Sequence, residues 1–359
     1  MTPRDRVFVI AEAGVNHNGS LEMAHRLVDA AADAGADAVK FQTFRAERLA
    51  SRDAPKAAYQ VRQTRGGESQ FEMLRALELS DAGHRELLAH SGERGIEFMS
   101  SPFDEESLAF LVALGVRRLK LGSGELTNAP LLLAAARSGL PLIVSTGMAT
   151  RAEVSEALGA LAFGMDPAAG APSRAAFASA WRTDAASARV RTRVTLLHCT
   201  TEYPSPPEEA NLRAMATMRT AFGVACGYSD NSVGSTVSIA AVALGATTIE
   251  KHFTLDRGLP GPDHAASLEP AALTQFVRDI RSVEVALGDG VKAPMPAEIP
   301  NIAVARKSIV AATRIAQGER ITEAHLAIKR PGTGRSPFDW WTILDSIADR
   351  EYGPDDVIR

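Results

Sequence analysis

The sequence has few of the features that mark several large protein classes. Only two of its 359 residues are cysteines, Cys199 and Cys226, which argues against a disulfide framework. Because both lie in apolar, strand-like runs, we expect buried free thiols in a reducing cytoplasm. No apolar run is long enough to span a bilayer, and the polar stretch 1–6 predicts no signal peptide. The net charge of −4 argues against nucleic acid as the main partner.

The chain instead shows a regular alternation of strand-like and helix-like segments. Short apolar runs predict eight strands at residues 7–10, 38–42, 96–100, 119–121, 142–145, 194–198, 224–228 and 247–252. Helical patterns separate most of them; Ser20 can cap the first helix and Gly35 can end it. This rhythm predicts a (β/α)₈ barrel that ends near Gly290. An open, doubly wound sheet is the alternative, but Gly14 and Gly19 lack the glycine spacing of a dinucleotide-binding loop.

Four segments depart from this rhythm. The charged segment 43–80 is long for a connection and predicts an active-site flap. Residues 164–190, with a helix expected near 175–181, predict an insertion on the outside or rim of the barrel. Residues 291–304 are expected to be a linker, and residues 305–359 a small β-rich domain with strands near 308–311, 315–318 and 326–328. A unit of that size is too small to be robust alone, so we expect it to pack on the barrel or on another subunit.

Every predicted strand ends in polar residues, and in a barrel these ends meet at one face. They are Glu12; Lys40 and Gln42; Ser100 and Ser101; Lys120, Ser123 and Glu125; Ser145 and Thr146; His198 and Thr200; Ser229 and Asp230; and Glu250, Lys251 and His252. Together they predict a mouth that holds cations, carboxylates and imidazoles.

Particular residue types at this mouth suggest particular chemistry. Lys40 and Lys120 suit a phosphate or carboxylate, unless they only form ion pairs with nearby glutamates. His198 is expected to face the mouth as a ligand of a divalent metal, while the Cys199 thiol, one residue on, is expected to point away and pack as a small hydrophobe. The loop 258–267, which contains Asp263 and His264, either closes over the mouth or forms a simple turn.

Several of these stretches match one known family in sequence and in order. They are 12–20 (EAGVNHNGS), 40–43 (KFQT), 101–104 (SPFD), 123–128 (SGELTN), 145–148 (STGM), 198–200 (HCT), 203–204 (YP), 250–253 (EKHF) and 261–264 (GPDH). They resemble the sialic acid synthase family. The stretches 306–308 (RKS) and 329–334 (KRPGTG) resemble its C-terminal antifreeze-like (SAF) domain. The resemblance covers nearly the whole chain but fails over residues 164–190.

The resemblance implies a reaction, a cofactor and an assembly. The reaction is the condensation of phosphoenolpyruvate with N-acetylmannosamine, or a related N-acyl mannosamine sugar, to give a nine-carbon 2-keto acid and phosphate. The alternative is a legionaminic acid synthase that uses 2,4-diacetamido-2,4,6-trideoxymannose. The cofactor is a divalent metal, manganese first, with magnesium or cobalt as other choices. The assembly is a domain-swapped homodimer in which the small domain caps the partner's barrel.

The resemblance also implies a role for each candidate residue. Lys40, Lys120 and Ser123 hold phosphoenolpyruvate, with Ser101 and Ser145 nearby; Glu12 and Gln42 line the sugar pocket; Asp230 also binds substrate; Glu125 lies near the reacting carbons; Arg330 reaches the N-acyl group across the dimer; and His198 binds the metal. The family's second metal-binding histidine is expected after the seventh strand, but this chain has Asn231 there. Asn231 is then a weaker ligand than imidazole, or Asp230, His252 or His264 replaces it.

The same residues fit two other classes of function. A Schiff-base aldolase would use Lys120 or Lys251 as its amine and would need no metal. A non-catalytic, sugar-binding barrel would account for Asn231. The presence of Lys40, Lys120, Glu12 and Arg330 together argues against the non-catalytic alternative.

Overall fold

The chain folds into two compact units, Met1–Gly288 and Asp289–Arg359. The computed structural model describes residues 6–64 and 68–359, so the polar residues 1–5 and three residues of the predicted flap lie outside the described part. Among the residues that are described, no helix combines the length and the hydropathy that crossing a membrane requires.

The first unit contains the predicted eight strands in one parallel sheet. Their order is β3-β2-β1-β8-β7-β6-β5-β4, and β3 and β4 contact each other across the remaining seam. The strands are β1 (Phe8–Gly14), β2 (Ala38–Thr43), β3 (Glu97–Pro102), β4 (Leu119–Leu121), β5 (Leu142–Ser145), β6 (Val194–Cys199), β7 (Ala225–Asp230) and β8 (Thr248–His252). The predicted (β/α)₈ barrel is confirmed.

The described part of the first unit contains thirteen α-helices in addition to this sheet. They are α1 (Leu21–Asp33), α2 (Ala46–Leu49), α3 (Ala58–Gln63), α4 (Gln70–Ala76), α5 (Asp81–Glu93), α6 (Glu105–Leu114), α7 (Ala129–Arg137), α8 (Arg151–Gly164), α9 (Arg174–Arg182), α10 (Asp184–Arg193), α11 (Arg213–Phe222), α12 (Thr236–Ala243) and α13 (Pro270–Ala286). Ser20 caps α1 as predicted, since its side chain accepts a hydrogen bond from the Met23 amide at 3.2 Å.

The insertion 164–190 contains more helix than its sequence indicated. Helix α9 covers the predicted 175–181 and packs on α8, with the rings of Phe163 and Phe177 5.3 Å apart. Helix α10, which was not predicted, follows at once, and its Ala186 and Val190 are buried in the core around the barrel. The second half of the insertion therefore belongs to the helical layer of the barrel.

Residues of each strand alternate between the inside and the outside of the barrel. One set forms an apolar layer within the barrel: Ile10, Ala38, Met99, Ile143 and Leu197. Their neighbours along the strands, such as Val9, Val39 and Leu196, pack outward in the large core beneath the helices. Because both faces of the strands are buried, apolar residues occur on both sides of the strands, below their polar carboxyl ends.

The second unit is small and has its own core. Strands β9 (Ser308–Ala311) and β10 (Leu326–Lys329) pair antiparallel, whereas the predicted strand near Ile315 is only an isolated bridge to Tyr352. The core contains Ile309, Ala311, Ile315, Ile321, Leu326, Ile343, Ala348, Tyr352 and Ile358. Helix α14 (Ile299–Ala305) begins in the predicted linker 291–304 and ends one residue beyond it, and α15 (Trp340–Ile343) follows β10.

Candidate active site

A pocket of about 300 Å³ lies at the carboxyl ends of the barrel strands. Seven predicted site residues line it together: Glu12, Lys40, Gln42, Ser101, Lys120, Ser123 and Ser145. The site residues that lie on strands point into the barrel like the apolar layer. Glu12 lies two residues after Ile10 on β1, and Lys40 lies two residues after Ala38 on β2. The strand alternation thus puts the polar residues directly above an apolar floor.

Two lysines and two glutamates form an inner cluster at the base of the pocket: Glu12, Lys40, Lys120 and Glu250. The Lys40 ammonium lies 2.6 Å from a Glu12 carboxylate oxygen and 3.6 Å from Glu250, and Lys120 lies 3.3 Å from Glu250. All four side chains are at most 6% exposed. Charges buried this deeply need partners, and Glu250 contacts both lysines.

Burial and mutual attraction set opposite protonation tendencies for the two glutamates. Burial raises the pKa of Glu12 to about 7; Lys40 opposes this shift and Glu250 adds to it. Burial would also raise the pKa of Glu250, but Lys120 and Lys40 outweigh it and hold the value at about 2. Burial lowers the pKa of Lys120. The cluster therefore keeps a permanent carboxylate at Glu250 and a readily protonated one at Glu12.

The serine hydroxyls extend this polar surface. Lys40 donates to Ser101 Oγ at 3.1 Å, and the Gly147 amide donates to Ser123 Oγ at 3.0 Å. A Cβ atom at Gly147 would lie only 2.8 Å from Ser123 Oγ, so glycine is required for this close approach. Ser123 Oγ also lies 3.0 Å from Cys199 Sγ.

Among the described residues, five polar side-chain atoms of the pocket lining are buried without a hydrogen-bond partner. They are Glu12 Oε2, Ser145 Oγ, Thr201 Oγ1, Glu250 Oε2 and His252 Nδ1, of which Glu12 Oε2 forms the ion pair with Lys40. Buried polar groups are costly when unsatisfied. Their presence around a cavity is typical of a surface that a polar ligand completes.

The structure reverses the predicted directions of His198 and Cys199. Leu197 belongs to the layer inside the barrel, so Cys199, two residues on, also points inward and lines the pocket. His198 points outward, lines a neighbouring cleft of about 1060 Å³, and has its Nε2 2.9 Å from the Ala210 carbonyl oxygen. The expectation that His198 faces the pocket and Cys199 points away was wrong by one strand position. Both cysteines are buried free thiols, as predicted.

The same alternation removes Asp230 from the pocket. Asp230 and Lys251 form a fully buried pair, here called the outer pair, whose charged atoms are 3.1 Å apart. Asp230 also accepts hydrogen bonds from the amide and hydroxyl of Ser232 and from the Ser238 hydroxyl of α12. Asp230 is thus held by Ser232, Ser238 and Lys251, and it lies outside the pocket lining.

Glu125 and Asn231 of the first unit do not line the pocket, and Arg330 belongs to the other unit. Glu125 is buried in a tight turn, where it accepts a hydrogen bond from Asn128 at 2.7 Å; burial raises its pKa. Asn231 is buried and donates to the Thr200 carbonyl oxygen at 2.8 Å. Arg330 belongs to the second unit, where its Nε donates to the Ala305 carbonyl oxygen.

The residues present do not form a metal centre from protein ligands alone. Among residues 6–64 and 68–359, no group of three or more His, Cys, Asp and Glu side chains is arranged to hold a metal. His198 faces the neighbouring cleft, and both His264 nitrogens are engaged, with Thr254 and Asn18. His252 differs, because its Nδ1 has no hydrogen-bond partner in the described part of the chain. Burial lowers the pKa of His252 to about 3, which keeps the imidazole neutral.

Several lining residues had no assigned role from the sequence. The sequence marks Glu250 only as a polar strand end, although its spacing of two from His252 indicates that both side chains point in the same direction. Asp263 lines the pocket, so the loop after β8 does reach it, and burial raises the Asp263 pKa to about 6. Tyr59 comes from the segment 43–80, and its ring lies 4.9 Å from that of Tyr203. Nothing in the sequence pattern indicated that contact.

Comparison with known proteins assigns the family. The NeuB family model matches residues 27–292, and a SAF domain model matches residues 306–359. The chain belongs to the NeuB family. The predicted resemblance to sialic acid synthases with an antifreeze-like domain is thereby confirmed, and this NeuB protein is an enzyme of the nonulosonic acid synthase type.

Individual relatives of this NeuB protein align over nearly its whole length. It is 44% identical to the N,N'-diacetyllegionaminic acid synthase of Campylobacter jejuni, with 99% of each chain covered. It is also 44% identical to the enzyme of the same name from Legionella pneumophila, covering 94% of this chain and 89% of that one. The N-acetylneuraminic acid synthetase of Leptospira borgpetersenii, solved with citrate, is 34% identical with a TM-score of 0.67, covering 83% and 90% of the two chains.

Proposed function

We propose that this protein condenses phosphoenolpyruvate with 2,4-diacetamido-2,4,6-trideoxymannose to form N,N'-diacetyllegionaminic acid and phosphate. The inner cluster is the observation on which the reaction rests, since it offers two buried lysines to one small, multiply charged anion. The acceptor follows the two legionaminic acid synthases at 44% identity, compared with 34% for the neuraminic acid synthetase. N-acetylmannosamine, the acceptor expected first from sequence, therefore becomes the alternative.

In this proposal the lysines and serines bind and orient phosphoenolpyruvate. Lys40 and Lys120 supply point charges for its phosphate or carboxylate, and Ser123 and Ser145 supply hydroxyl donors. Glu250 holds both lysines in the pocket. Fixing the small anion beside the acceptor lowers the entropic part of the barrier to their reaction.

The reaction makes one carbon–carbon bond and one carbon–oxygen bond from water, breaks the carbon–oxygen bond to phosphate, and adds a proton to the former aldehyde oxygen. The enol carbon of phosphoenolpyruvate attacks the aldehyde carbon of the open-chain sugar, and positive charge develops at C2 of the former enol. Water adds at C2 and loses a proton, and the C2–O bond to phosphate then breaks, which leaves a 2-keto acid. Glu12 and Asp263, with pKa values raised by burial to about 7 and about 6, are suited to exchange protons at neutral pH.

A divalent ion remains a prediction that belongs to this proposal. When bound, it would supply Lewis-acid polarisation of the aldehyde oxygen. His252 offers the pocket's unpartnered imidazole nitrogen, so substrate atoms and water would have to provide most other ligands. We therefore assign no step of the reaction to the ion.

A direct assay tests the proposed function. The purified protein is incubated with phosphoenolpyruvate, manganese and either sugar, and phosphate release and product mass are measured. We expect turnover with both sugars and a higher kcat/KM for the trideoxy sugar. Absence of phosphate release with every sugar would refute the synthase, and borohydride trapping of a carbonyl substrate on Lys120 would favour the aldolase instead.

We also propose the domain-swapped homodimer, with Arg330 acting in trans on the N-acyl group. Arginine's planar fork can bond an acyl carbonyl in a fixed direction. Mixing a Lys40→Ala, Lys120→Ala double variant with an Arg330→Ala protein tests this, at a phosphoenolpyruvate concentration at which neither protein is active alone. A mixed dimer would contain one intact site, so activity should approach half of wild type per mixed dimer. If subunits exchange and activity does not reappear, Arg330 does not act across the dimer.

A further inference from the structure

The pocket has two chemically different sides. Its base is the inner cluster of charges. One side is an apolar wall, which we define as Val15, Leu49, Met73, Leu74, Leu77 and Phe103. Most of the wall comes from the segment 43–80, through α2, α4 and the residue after α4. None of these six side chains carries an N–H or O–H group, and the polar side chains that the segment 43–80 adds to the pocket, Tyr59, Gln60 and Gln70, are not part of the wall.

The apolar wall is a packed structure with its own contacts. Val15, Met73 and Leu77 form a separate buried cluster with Phe44, against which the other three wall residues pack. The Phe44 and Phe103 rings meet edge to face with centroids 5.9 Å apart. The loop after β1 packs closely against α4 beside the wall. A Cβ atom added at Gly19, which has φ +76°, would lie only 2.5 Å from the Ala76 carbonyl oxygen. The wall is therefore held in place on both sides.

The two sides of the pocket constrain how the acceptor lies. If the inner cluster binds phosphoenolpyruvate, the aldehyde carbon C1 of the open-chain sugar must lie beside it. C6 is at the opposite end of the sugar and can reach the pocket's other surfaces. A hydroxyl at C6 would lose its water against the apolar wall without gaining a hydrogen bond there. A methyl group at C6 would gain free energy from the same burial.

We infer that the apolar wall selects the acceptor, and that it does so by contacting a deoxygenated C6 methyl group. This inference depends on the proposed function, because it concerns the second substrate of that reaction. It assigns the selectivity to α4 and its neighbours, outside the strand ends that hold the charged groups.

A matched pair of sugars isolates this contact. N-acetylmannosamine and its 6-deoxy analogue, 2-acetamido-2,6-dideoxymannose, differ only at C6. The ratio of their kcat/KM values is measured for wild type, Met73→Gln and Leu74→Gln. Hydrophobic pockets discriminate a single small group by roughly 10- to 200-fold, so we expect wild type to prefer the 6-deoxy sugar by at least about tenfold. Each variant should reduce that ratio several-fold, with little change in the KM for phosphoenolpyruvate.

Control variants separate this effect from damage to the fold. Met23→Gln makes the same chemical change on α1, outside the pocket lining, and should keep the wild-type ratio. Met73→Leu keeps the wall apolar and should also keep the wild-type ratio of kcat/KM values. Leu74 is only half-buried, so its variant provides the measurement if Met73→Gln does not fold. Equal use of both sugars by an active wild type, or an unchanged ratio in active wall variants, would overturn the inference, whereas inactivity with all sugars would instead refute the proposed function.

Discussion

The inner cluster and the outer pair both contain buried lysines and carboxylates, and they meet at adjacent residues of β8, Glu250 and Lys251. They differ in how many of their charged atoms have hydrogen-bond partners in the protein. Lys251 and Asp230 in the outer pair are fully buried, and hydroxyl and amide groups also hydrogen bond to Asp230. In the inner cluster, Glu250 Oε2 has no hydrogen-bond partner within residues 6–64 and 68–359 and lies 3.6 Å from Lys40. The outer pair is complete within the protein, whereas the inner cluster has atoms available to a ligand.

The difference follows from the direction of alternate strand residues. Glu250 and His252 point into the barrel, where the strand ends leave a cavity. Lys251 points outward to the layer of helices. There the Ser238 hydroxyl of α12 donates a hydrogen bond to Asp230, the partner of Lys251. Similar chemistry therefore stabilises the fold on one face of the strand and is available for binding on the other. Three predictions test this division.

The largest expected effect is on stability, from breaking the outer pair. Lys251→Met leaves the buried Asp230 carboxylate without its cation, which should reduce the free energy of unfolding by roughly 3–5 kcal/mol. Denaturant unfolding measures this loss. The KM for phosphoenolpyruvate should stay near the wild-type value in the folded variant. A large increase in that KM with unchanged stability would contradict the division.

The converse effect is expected from the inner cluster. Lys120→Ala and Lys40→Ala each remove one charge-assisted contact to the anion, which should cost roughly 1.5–3 kcal/mol of binding, or about ten- to a hundredfold in the KM for phosphoenolpyruvate. Steady-state kinetics with phosphoenolpyruvate as the varied substrate measures it. If neither variant changes this KM, the two lysines do not bind the anion.

The sequence predicted the barrel and most of the pocket because polar residues interrupt apolar strands at these points. A lysine within an apolar run, as at Lys40 and Lys120, indicates a buried charge with a specific role, and the repeated strand–helix rhythm brings such residues to one face. The direction of β6 could not be predicted in the same way. Leucines occupy both sides of that strand, so the pattern does not distinguish the inward Cys199 from the outward His198.

The flap illustrates a second limit. Its length indicated a functional segment, and Tyr59, Met73 and Leu77 do line the pocket. Which of its residues reach the pocket depends on long-range contacts, such as the Gln63 side chain on the Tyr203 carbonyl oxygen at 3.1 Å. Local periodicity carries no information about contacts of that kind.

The smallest expected effect concerns the protonation of Glu12. Burial raises its pKa to about 7, so Glu12 gains negative charge as pH rises through neutrality. A further negative charge in the inner cluster opposes anion binding, and the KM for phosphoenolpyruvate should therefore rise by up to about tenfold between about pH 6 and about pH 8, equivalent to ~1.4 kcal/mol. Glu12→Gln is a neutral isostere that should remove this component. The phosphate of the substrate also titrates in this range, but equally for both proteins, so the difference between their pH profiles isolates Glu12. Parallel profiles would mean that Glu12 keeps one protonation state throughout, and the inner cluster would then resemble the outer pair in holding fixed charges.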